Sequence, residues 1–309
     1  MHDSRPDPRT VFLVNPASAG GSTGRRWPEI AHRAAARGLT GDALISEEPG
    51  QLGPLAAEAV RGGAERLVVV GGDGSVNEVV DGIAGADVEL AVVPRGTGWD
   101  FVRTFAISRD LDGAIDVALE GDVRTIDVGL ATFRSWAGEE SRRYFANVAS
   151  AGISGAIAKR ANDSSKALGG RISYYWATLA VFVAWETGEM RVTVDDELRA
   201  GRMIDVMACN GRFLGGGMMM CPEAEPDDGL FDVLLIGDVT KRDLLFTLPK
   251  SYRGKHLPHP RLEVLRGRTV TVEADEPLPI ELDGEQPGTT AARFEVVPRA
   301  LRLRVPRAI

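Results

Sequence analysis

The sequence predicts a two-domain protein: an N-terminal α/β domain with a parallel sheet, followed by a C-terminal β-sandwich domain that carries a helical insertion. Its 309 residues exceed what one hydrophobic core usually serves. Up to about residue 121, short apolar runs alternate with helix-length amphipathic segments, a pattern typical of a parallel sheet covered by helices. Beyond about residue 123, short segments of alternating polar and apolar residues predict antiparallel strands.

The first domain, residues 1–122, has the more regular pattern. Its predicted elements, in chain order, are a strand at 11–14, a helix at 27–37, a strand at 44–45, a helix at 52–61, a strand at 67–70, a helix at 76–83 and a strand at 90–93. Ligands bind at the carboxyl ends of the strands in such sheets, so the loops that follow the strands are the candidate functional segments.

The second domain, residues 123–309, has predicted strands at 191–194, 203–208, 231–236, 269–273, 294–297 and 301–305. A helical stretch at 153–185 interrupts them. Its apolar run at 174–185 is too short to cross a bilayer, and a buried helix is predicted there. The pattern leaves open whether the last strand returns to the first domain.

Charge and cysteine content exclude several classes of protein. The net charge of −8 argues against nucleic-acid binding, which needs lysine and arginine across a whole face. Two cysteines make neither a disulfide framework nor a zinc site, and the polar N-terminus lacks the apolar core of a signal peptide, so a reducing cytoplasm is expected. One basic cluster fits either a solvated loop or a contact with anionic headgroups: Lys250, Arg253, Lys255, Arg261, Arg266 and Arg268.

Three loops that follow predicted strands are rich in glycine: residues 15–21, residues 71–75 and residues 96–100. Because glycine has no Cβ, its backbone N–H can approach phosphate oxygens closely, and a helix that begins at such a loop adds the positive end of its dipole. A single loop of this kind is often only a tight turn. Three at the same edge of one sheet predict a phosphate-binding site.

Acidic residues accompany these loops. Asp73 and Asp100 lie within two of them, where a carboxylate would repel a triphosphate unless a divalent cation stood between them. The sequence therefore predicts magnesium. A further acidic turn, residues 281–285, lies in the second domain.

The loops match no other nucleotide or hydrolase signature. The chain has no Gly-x-x-x-x-Gly-Lys-Ser/Thr, and residues 71–75 lack the spacing of a dinucleotide fingerprint. Residues 152–155 are one residue short of a hydrolase nucleophile elbow. His256 and His259 flank a proline, a context typical of loop residues rather than metal ligands.

Together, the motifs resemble the diacylglycerol kinase catalytic-domain family, which includes bacterial lipid kinases and the related sphingosine kinases. The resemblance spans nearly the whole chain and rests on segments that follow in the family's order: Asn15-Pro16 with Ser18, Gly71 to Ser75 with Asn77-Glu78, residues 94–101, Asn210-Gly211, Gly215 to Gly217, residues 222–229, and Asp283-Gly284-Glu285. It implies the fold of the NAD and diacylglycerol kinases. It also implies an ATP-dependent kinase that phosphorylates the hydroxyl of diacylglycerol or a similar lipid.

The resemblance further implies roles for individual residues. Nucleotide contacts are implied for Asn15, Pro16, Ser18, Ser46, Gly71, Gly72, Asp73, Gly74, Ser75, Asn77, Glu78, Gly96, Thr97 and Asp100. Magnesium ligation, directly or through water, is implied for Asp73, Asp100 and Asp283, and a structural metal for Glu225, Asp228 and the carbonyl of Leu230. Glu285 resembles the family's proton acceptor, with Asp283 as the second catalytic carboxylate.

One position departs from the family pattern. Trp99 stands between Gly98 and Asp100, where the family usually has Asn, and an indole cannot reproduce the two donors and one acceptor of an amide. Trp99 keeps one alternative open, a catalytically weak lipid-binding regulatory protein. A second alternative is a small-molecule kinase of the NAD kinase type, whose Gly-Gly-Asp-Gly and Asn-Glu motifs are similar, although Asn210 to Gly217 and Asp283 to Glu285 match the lipid kinases better.

The expected partner is a lipid substrate at a membrane surface, reached from the cytoplasm by peripheral association, and a homodimer is left open. Five apolar residues either line an acyl pocket or belong to the plain core: Ile153, Phe213, Met218, Met219 and Met220.

Overall fold

The computed structural model describes residues 8–96, 98–164, 180–182 and 184–307. The chain divides into two compact units. Unit 1 contains Met1–Gly96, Phe105–Ile126 and Ala300–Ile309, and unit 2 contains Thr97–Thr104 and Asp127–Arg299. These units differ from a single boundary at 122/123 in three respects: Thr97–Thr104 belongs to unit 2, residues 123–126 belong to unit 1, and the last ten residues, which the sequence left open, also belong to unit 1.

Unit 1 is built on a parallel sheet. Its strands are β1 (Thr10–Val14), β2 (Asp42–Ile45), β3 (Arg66–Gly71), β4 (Glu89–Pro94) and the end of β16 (Gly288–Val305). Their order across the sheet is β16-β4-β3-β1-β2. The helices are α1 (Ser22–Ala36), α2 (Leu52–Arg61), α3 (Asp73–Ile83) and α5 (Leu111–Glu120). The alternation of strands and helices that the sequence predicted is confirmed, with each element within a few residues of its predicted position.

Burial explains why these segments form a parallel sheet. Every residue of β1 and β3 is buried, as expected for strands that helices cover on both faces. Phe12, Val14, Val68 and Val70 pack with Ile30 of α1 in one core cluster. This core therefore holds the carboxyl ends of β1, β3 and β4 in fixed positions.

Unit 2 is an antiparallel β-rich domain. Its strands are β6 (Glu140–Phe145), β7 (Val148–Gly152), β8 (Gly188–Val194), β9 (Glu197–Cys209), β10 (Phe213–Leu214), β11 (Met218–Met219), β12 (Phe231–Gly237), β13 (Leu262–Gly267), β14 (Thr269–Ala274) and β15 (Ile280–Leu282). Its helices are α4 (Asp100–Thr104), α6 (Ile153–Ser164) and α7 (Lys241–Ser251). Two strands extend into both units: β5 (Asp122–Ser135) and β16 (Gly288–Val305).

The core of unit 2 centres on three phenylalanines. Phe145 stacks on Phe231 with ring centroids 5.6 Å apart, and it meets Phe294 edge-on at 6.1 Å. The three rings come from β6, β12 and β16, which do not pair with one another, so their contacts join separate strands in the core. The predicted β-rich second domain is confirmed.

Several details of unit 2 differ from the sequence prediction. Two strands were expected at 294–297 and 301–305, but β16 is a single strand from Gly288 to Val305. Strands β5, β6 and β7 were not predicted: polar residues mask the alternation in β5 and β6, whereas β7 is short and made mostly of small residues. Helix α6 confirms the start of the helical insertion, whereas most of the apolar run at 174–185 lies outside the described residues. Cys209 and Cys221 form a disulfide with Cα atoms 6.4 Å apart, which the cysteine count gave no reason to expect.

Within the part of the chain that the structure describes, no helix is long and apolar enough to cross a membrane.

Candidate functional site

The three predicted phosphate loops meet at one edge of the sheet in unit 1. Asn15 Nδ2, after β1, donates to Ser75 Oγ at 2.9 Å, in the first turn of α3. The backbone N–H of Arg95, after β4, donates to the Gly71 carbonyl at 2.6 Å. Asp73, Gly74 and Ser75 form the first turn of α3, directly after β3. The loops thus contact one another, as their positions in the sequence predicted.

Close backbone approach explains the glycines of these loops. A Cβ on Gly96 would lie 2.8 Å from the Cα of Gly72, and a Cβ on Gly71 would overlap the Ser75 hydroxyl. Any larger residue would force the second and third loops apart. The glycines therefore have a packing role in addition to the predicted approach to phosphate.

The loop after β1 is held by its own polar side chains. Asn15 Oδ1 accepts the Ala17 N–H at 3.0 Å in an Asx turn. The Ser18 hydroxyl donates to the Asn15 carbonyl at 2.9 Å. The Pro16 carbonyl accepts the Gly24 N–H of α1 at 3.1 Å. The loop is therefore a fixed structure rather than a loose connection.

The edge of unit 1 also carries a cation, Arg95, to which the sequence motifs gave no role. Arg95 Nη2 donates to Ser22 Oγ at 3.2 Å, at the start of α1. Burial, together with the nearby Arg26, lowers the pKa of the Arg95 guanidinium. Helix α3 begins at Gly72 without a side-chain cap, so the positive end of its dipole adds to the same edge.

Other predicted nucleotide residues of unit 1 have contacts that support the fold. Ser46 is buried, and its N–H donates to the Val14 carbonyl at 3.0 Å. Glu78 Oε2 accepts the Leu52 N–H at 3.1 Å and so caps α2. Asn77 is fully buried in α3. Thr97 lies outside the described residues.

In unit 2, Asp100 joins two of the sequence motifs. Its Oδ2 accepts the Gly216 N–H at 2.7 Å, which links the motif at 96–101 to the glycines at 215–217. A Cβ on Gly217 would lie 2.8 Å from Arg103 Nη1. The Thr104 hydroxyl accepts the Arg212 N–H at 3.2 Å. Asp100 is thus buried against a segment that lies more than a hundred residues later in the chain.

Trp99 has a left-handed backbone conformation, with φ at 60°. Asn tolerates this conformation better than any bulky residue does, because its short side chain bonds locally. This backbone conformation explains why the family usually has Asn at this position. Trp99 adopts the same conformation, although a bulky side chain disfavours it.

The two predicted catalytic carboxylates of unit 2 have different surroundings. Asp283 is buried, and its carboxylate accepts three backbone N–H groups, from Ala146 at 2.7 Å, Asn147 at 3.0 Å and Val148 at 2.9 Å. Glu285 lies nearer solvent and pairs with Arg143 Nη1 at 2.7 Å. Asp283 therefore fixes the start of β7, whereas the Glu285 carboxylate is held by one side chain.

Asn147 is a residue that sequence reasoning missed. Its Nδ2 donates to the Phe213 carbonyl at 2.6 Å, and its own carbonyl accepts the N–H groups of Asn210 and Gly211. It therefore connects the Asp283 turn to the Asn210-Gly211 motif. A single Asn between two apolar runs gives no sequence signal of this role.

The predicted structural metal site has a different cation beside it. Asp228 Oδ2 pairs with Arg266, and Asp228 Oδ1 accepts the Leu230 N–H at 2.9 Å. Asp127 also holds this turn, because its Oδ2 accepts the Gly229 N–H at 2.8 Å. The predicted ligand Glu225 is joined to the turn only through its backbone, whose carbonyl accepts the Asp228 N–H at 3.4 Å. Over the described ranges, no group of three or more His, Cys, Asp or Glu side chains is arranged to hold a metal ion.

Two fully buried carboxyls in unit 2 were not predicted. Asp205 Oδ2 accepts from the Ser154 hydroxyl, and desolvation raises the pKa of Asp205 to about 8. Glu281 Oε2 accepts from the Ser150 hydroxyl at 3.1 Å, and desolvation raises its pKa to about 8. The position of Asp205 within the apolar strand β9 hid it from sequence reasoning, whereas Glu281 was seen only as part of the acidic turn at 281–285 and was given no role.

An apolar cavity of about 90 Å³ lies in unit 2. Its lining includes Ile153, Met218 and Met220, three of the five residues that the sequence offered for an acyl pocket, together with Leu214 and Leu248. The other two, Phe213 and Met219, pair with each other in the β10-β11 hairpin. Asp205 and Ser154 are also part of the lining.

Comparison with known proteins gives a consistent result. Residues 9–131 match the model of the diacylglycerol kinase catalytic domain, and residues 147–305 match that of the YegS C-terminal NAD kinase beta sandwich-like domain. A diacylglycerol kinase of Mycobacterium tuberculosis is 29% identical over 97% of this chain and 96% of its own length. One from Staphylococcus carnosus is 25% identical over the same shares of the two chains.

Solved structures show the same fold. The crystal structure of a diacylglycerol kinase from Bacillus anthracis covers 99% of this chain and 100% of its own, with a TM-score of 0.75 at 22% identity. The two domain models together cover most of this chain in the order that the motifs predicted. By its sequence and its fold, the chain belongs to the diacylglycerol kinase catalytic-domain family.

Proposed function

We propose that this protein transfers the γ-phosphate of ATP to the hydroxyl of diacylglycerol or a similar lipid. The observation that carries the proposal is the meeting of three glycine loops at one sheet edge, with Asn15 bonded to Ser75 and Arg95 bonded to Gly71. Relatives named diacylglycerol kinase support the class of reaction and of acceptor.

Unit 1 supplies the groups that would hold a triphosphate. The uncapped first turn of α3 presents backbone N–H groups, and its dipole favours an anion. Arg95 adds a guanidinium at the same edge, where it can neutralise a phosphate oxygen. These groups position the nucleotide and stabilise charge, which is most of what catalysis of phosphoryl transfer requires.

Magnesium fits this site as an ion that arrives with the nucleotide. Mg²⁺ is usually bound through one or two carboxylates together with substrate phosphates, rather than by a complete protein cage. The described residues contain no such cage, and Asp73 at the start of α3 is the carboxylate of unit 1 that would contact the ion. When bound, the ion would neutralise charge on the β- and γ-phosphates.

The other predicted metal roles are less well supported. Asp283 already accepts three N–H groups, and Asp228 pairs with Arg266, whose guanidinium supplies the positive charge that a metal would supply. Asp100 bonds to Gly216, and its role toward magnesium stays a prediction.

The apolar cavity of unit 2 supports a lipid acceptor. Its lining of Ile153, Leu214, Met218 and Met220 offers contacts to an acyl chain, and flexible methionines adapt to irregular apolar shapes. Each buried methylene of such a chain contributes about 0.8 kcal/mol.

Glu285 is the proposed general base. An alcohol is a weak nucleophile at neutral pH, and a positioned carboxylate that takes its proton as attack develops accelerates the step. Arg143 orients the Glu285 carboxylate, and Asp283 fixes the turn on which it stands. In this proposal Glu285 accepts the proton, and Asp283 positions the turn that carries Glu285.

The test is transfer of radiolabelled phosphate from γ-labelled ATP to diacylglycerol in detergent micelles. Extracted total lipid and NAD serve as further acceptors, and the product of each is identified. Labelled phosphatidic acid is expected, and Glu285→Gln should form it about a hundredfold to ten-thousandfold more slowly. Labelled NADP would favour the NAD kinase alternative, and bound ATP without any labelled product would favour a lipid-binding regulatory protein.

A further inference from the structure

Helix α7 has two chemically different faces. Leu248 and Ser251 are buried, and with Thr247 they line the apolar cavity. Arg242, Phe246 and Lys250 are spaced four residues apart, so they form one stripe, and all three are exposed. The stripe therefore lies on the side of the helix that faces away from the cavity.

Phe246 is an unusual surface residue. It is 66% exposed, more than any other large hydrophobic residue in the described chain; Trp136 follows at 60% and Leu198 at 59%. A phenylalanine left in water gives up the stabilisation that burial would provide. Single exposed hydrophobic residues are common on protein surfaces, so Phe246 indicates a contact site only together with the cations beside it.

The stripe is positively charged, although the protein has a net charge of −8. Lys241, Arg242, Lys250 and Arg253 are exposed, and within the described ranges none of them forms an ion pair. Asp243, the acidic residue of α7, instead completes a capping box with Thr240 and lies 3.7 Å from His259 Nε2. The cations are therefore available to an external anion.

The arrangement suits a bilayer better than a protein partner. An interfacial helix buries aromatic side chains at the boundary between headgroups and acyl chains while basic residues contact anionic lipid. A specific protein interface buries about 800 Å² on each partner, more than one stripe of an eleven-residue helix presents. The opposite face of α7 lines an apolar cavity, which suits a helix that works next to lipid.

We infer that Arg242, Phe246 and Lys250 on the outer face of α7, together with the exposed neighbours Lys241 and Arg253, form a docking surface for bilayers that contain anionic phospholipid. The inference rests on the proposed function only in that the acceptor lipid resides in the membrane. The basic cluster seen in the sequence is divided accordingly: Lys250 and Arg253 belong to this surface, whereas Arg266 pairs with Asp228 and Asp232.

The test is flotation of the full chain with vesicles of phosphatidylcholine alone, or of equal parts phosphatidylcholine and phosphatidylglycerol. We expect strong binding to the anionic vesicles, weakened by salt because the charges are exposed. Phe246→Ser should lower binding at least about tenfold because it removes the side chain that inserts between headgroups and acyl chains. The pair Lys250→Glu/Arg253→Glu should lower it at least as much, because it reverses two charges that contact anionic lipid.

Matched controls separate docking from folding. Lys250→Arg/Arg253→Lys keeps the charge and should bind as wild type, and Leu198→Ser removes an equally exposed hydrophobic residue elsewhere. Equal binding of wild type to both kinds of vesicle, or normal binding by the charge-reversed pair, overturns the inference. Binding to immobilised polyglutamate but not to vesicles would mean that the surface takes an acidic protein.

The docking surface and the kinase function fail separately. Phosphorylation of lipid in detergent micelles needs no bilayer, so the α7 variants should keep it. If vesicle binding depends on α7 but no lipid is phosphorylated, the proposed kinase function is refuted and the docking surface is retained. If lipid is phosphorylated but vesicle binding does not depend on α7, the docking surface is refuted and the kinase function is retained.

Discussion

The Glu285 carboxylate lies 2.7 Å from the guanidinium of Arg143, and no other side-chain cation pairs with it among the described residues. Glu285→Gln keeps the size of the side chain and removes the base, so we expect turnover to fall about a hundredfold to ten-thousandfold with ATP affinity unchanged. Arg143→Met should lower kcat less, because it removes only the orienting partner. Steady-state kinetics in micelles measure both, and near-normal turnover of Glu285→Gln would exclude it as the base.

Asp283→Asn should act mainly on stability. The substitution leaves one oxygen where two now accept three N–H groups, and it turns an amide NH₂ toward a backbone donor. Loss of these charge-assisted bonds should cost about 2–3 kcal/mol in the free energy of unfolding. Calorimetry measures this loss, and a magnesium titration of activity is the control. An unchanged Tm with a weaker magnesium response would restore Asp283 to the metal site.

Trp99→Asn should relieve a strained backbone. A residue held outside its favoured backbone region costs on the order of 1–3 kcal/mol, and Asn tolerates φ near 60° far better than Trp. We expect a higher Tm, with ATP turnover kept or raised. Trp99→Phe, which keeps the strain, is the matched control. A drop in Tm for the Asn variant would show that the indole's packing outweighs its strain.

Gly96→Val should separate the second and third nucleotide loops. A Cβ there would meet the Cα of Gly72 at 2.8 Å, and neither backbone can move without opening the Arg95–Gly71 hydrogen bond. We expect ATP binding, measured by calorimetry, to be lost while the fold persists. Gly188→Ala is the control, because a Cβ at Gly188 meets no atom within 4 Å. Full ATP affinity in folded Gly96→Val would refute the phosphate loop.

Asp205→Asn should change how stability depends on pH. Desolvation raises the pKa of Asp205 from 3.8 to about 8, so the folded state keeps a proton that the unfolded chain releases. Stability therefore falls as pH rises between these values, by about 1.4 kcal/mol per pH unit for one such group, and levels off above pH 8. Asp205→Asn should remove that slope, leaving the similar contribution of Glu281. Denaturant unfolding at several pH values tests it, and an unchanged slope would mean that Asp205 is ionised when folded.

Much of unit 1 could be predicted from the sequence because its signals are local. Buried strands such as β3 are continuous apolar runs, and glycine loops stand directly after them. The order of the motifs also identified the family. What lay beyond prediction was pairing over long distances, such as Asp100 with Gly216 or Arg95 beside Ser22.

Unit 2 was harder to predict for a physical reason. An acidic Asp-Gly-Glu turn looks catalytic throughout, and only the fold shows that Asp283 is occupied by backbone donors while Glu285 contacts Arg143. Asp228 likewise matches a metal ligand of the family in sequence, and only the fold shows Arg266 beside it. Sequence motifs name residue types, whereas the roles depend on which partner the fold brings to each oxygen.

Strand β16 has a consequence for how the chain folds during synthesis. Its residues Arg302 and Leu303 pair with Glu89 and Leu90 of β4, so the parallel sheet of unit 1 is completed only after all of unit 2 has been synthesised. At a translation rate of about 5–20 residues per second, β4 waits roughly 10–40 s for this partner. Unit 1 therefore cannot finish folding before unit 2 has been made, and nascent chains depend on protection of the open edge of β4 until β16 is available.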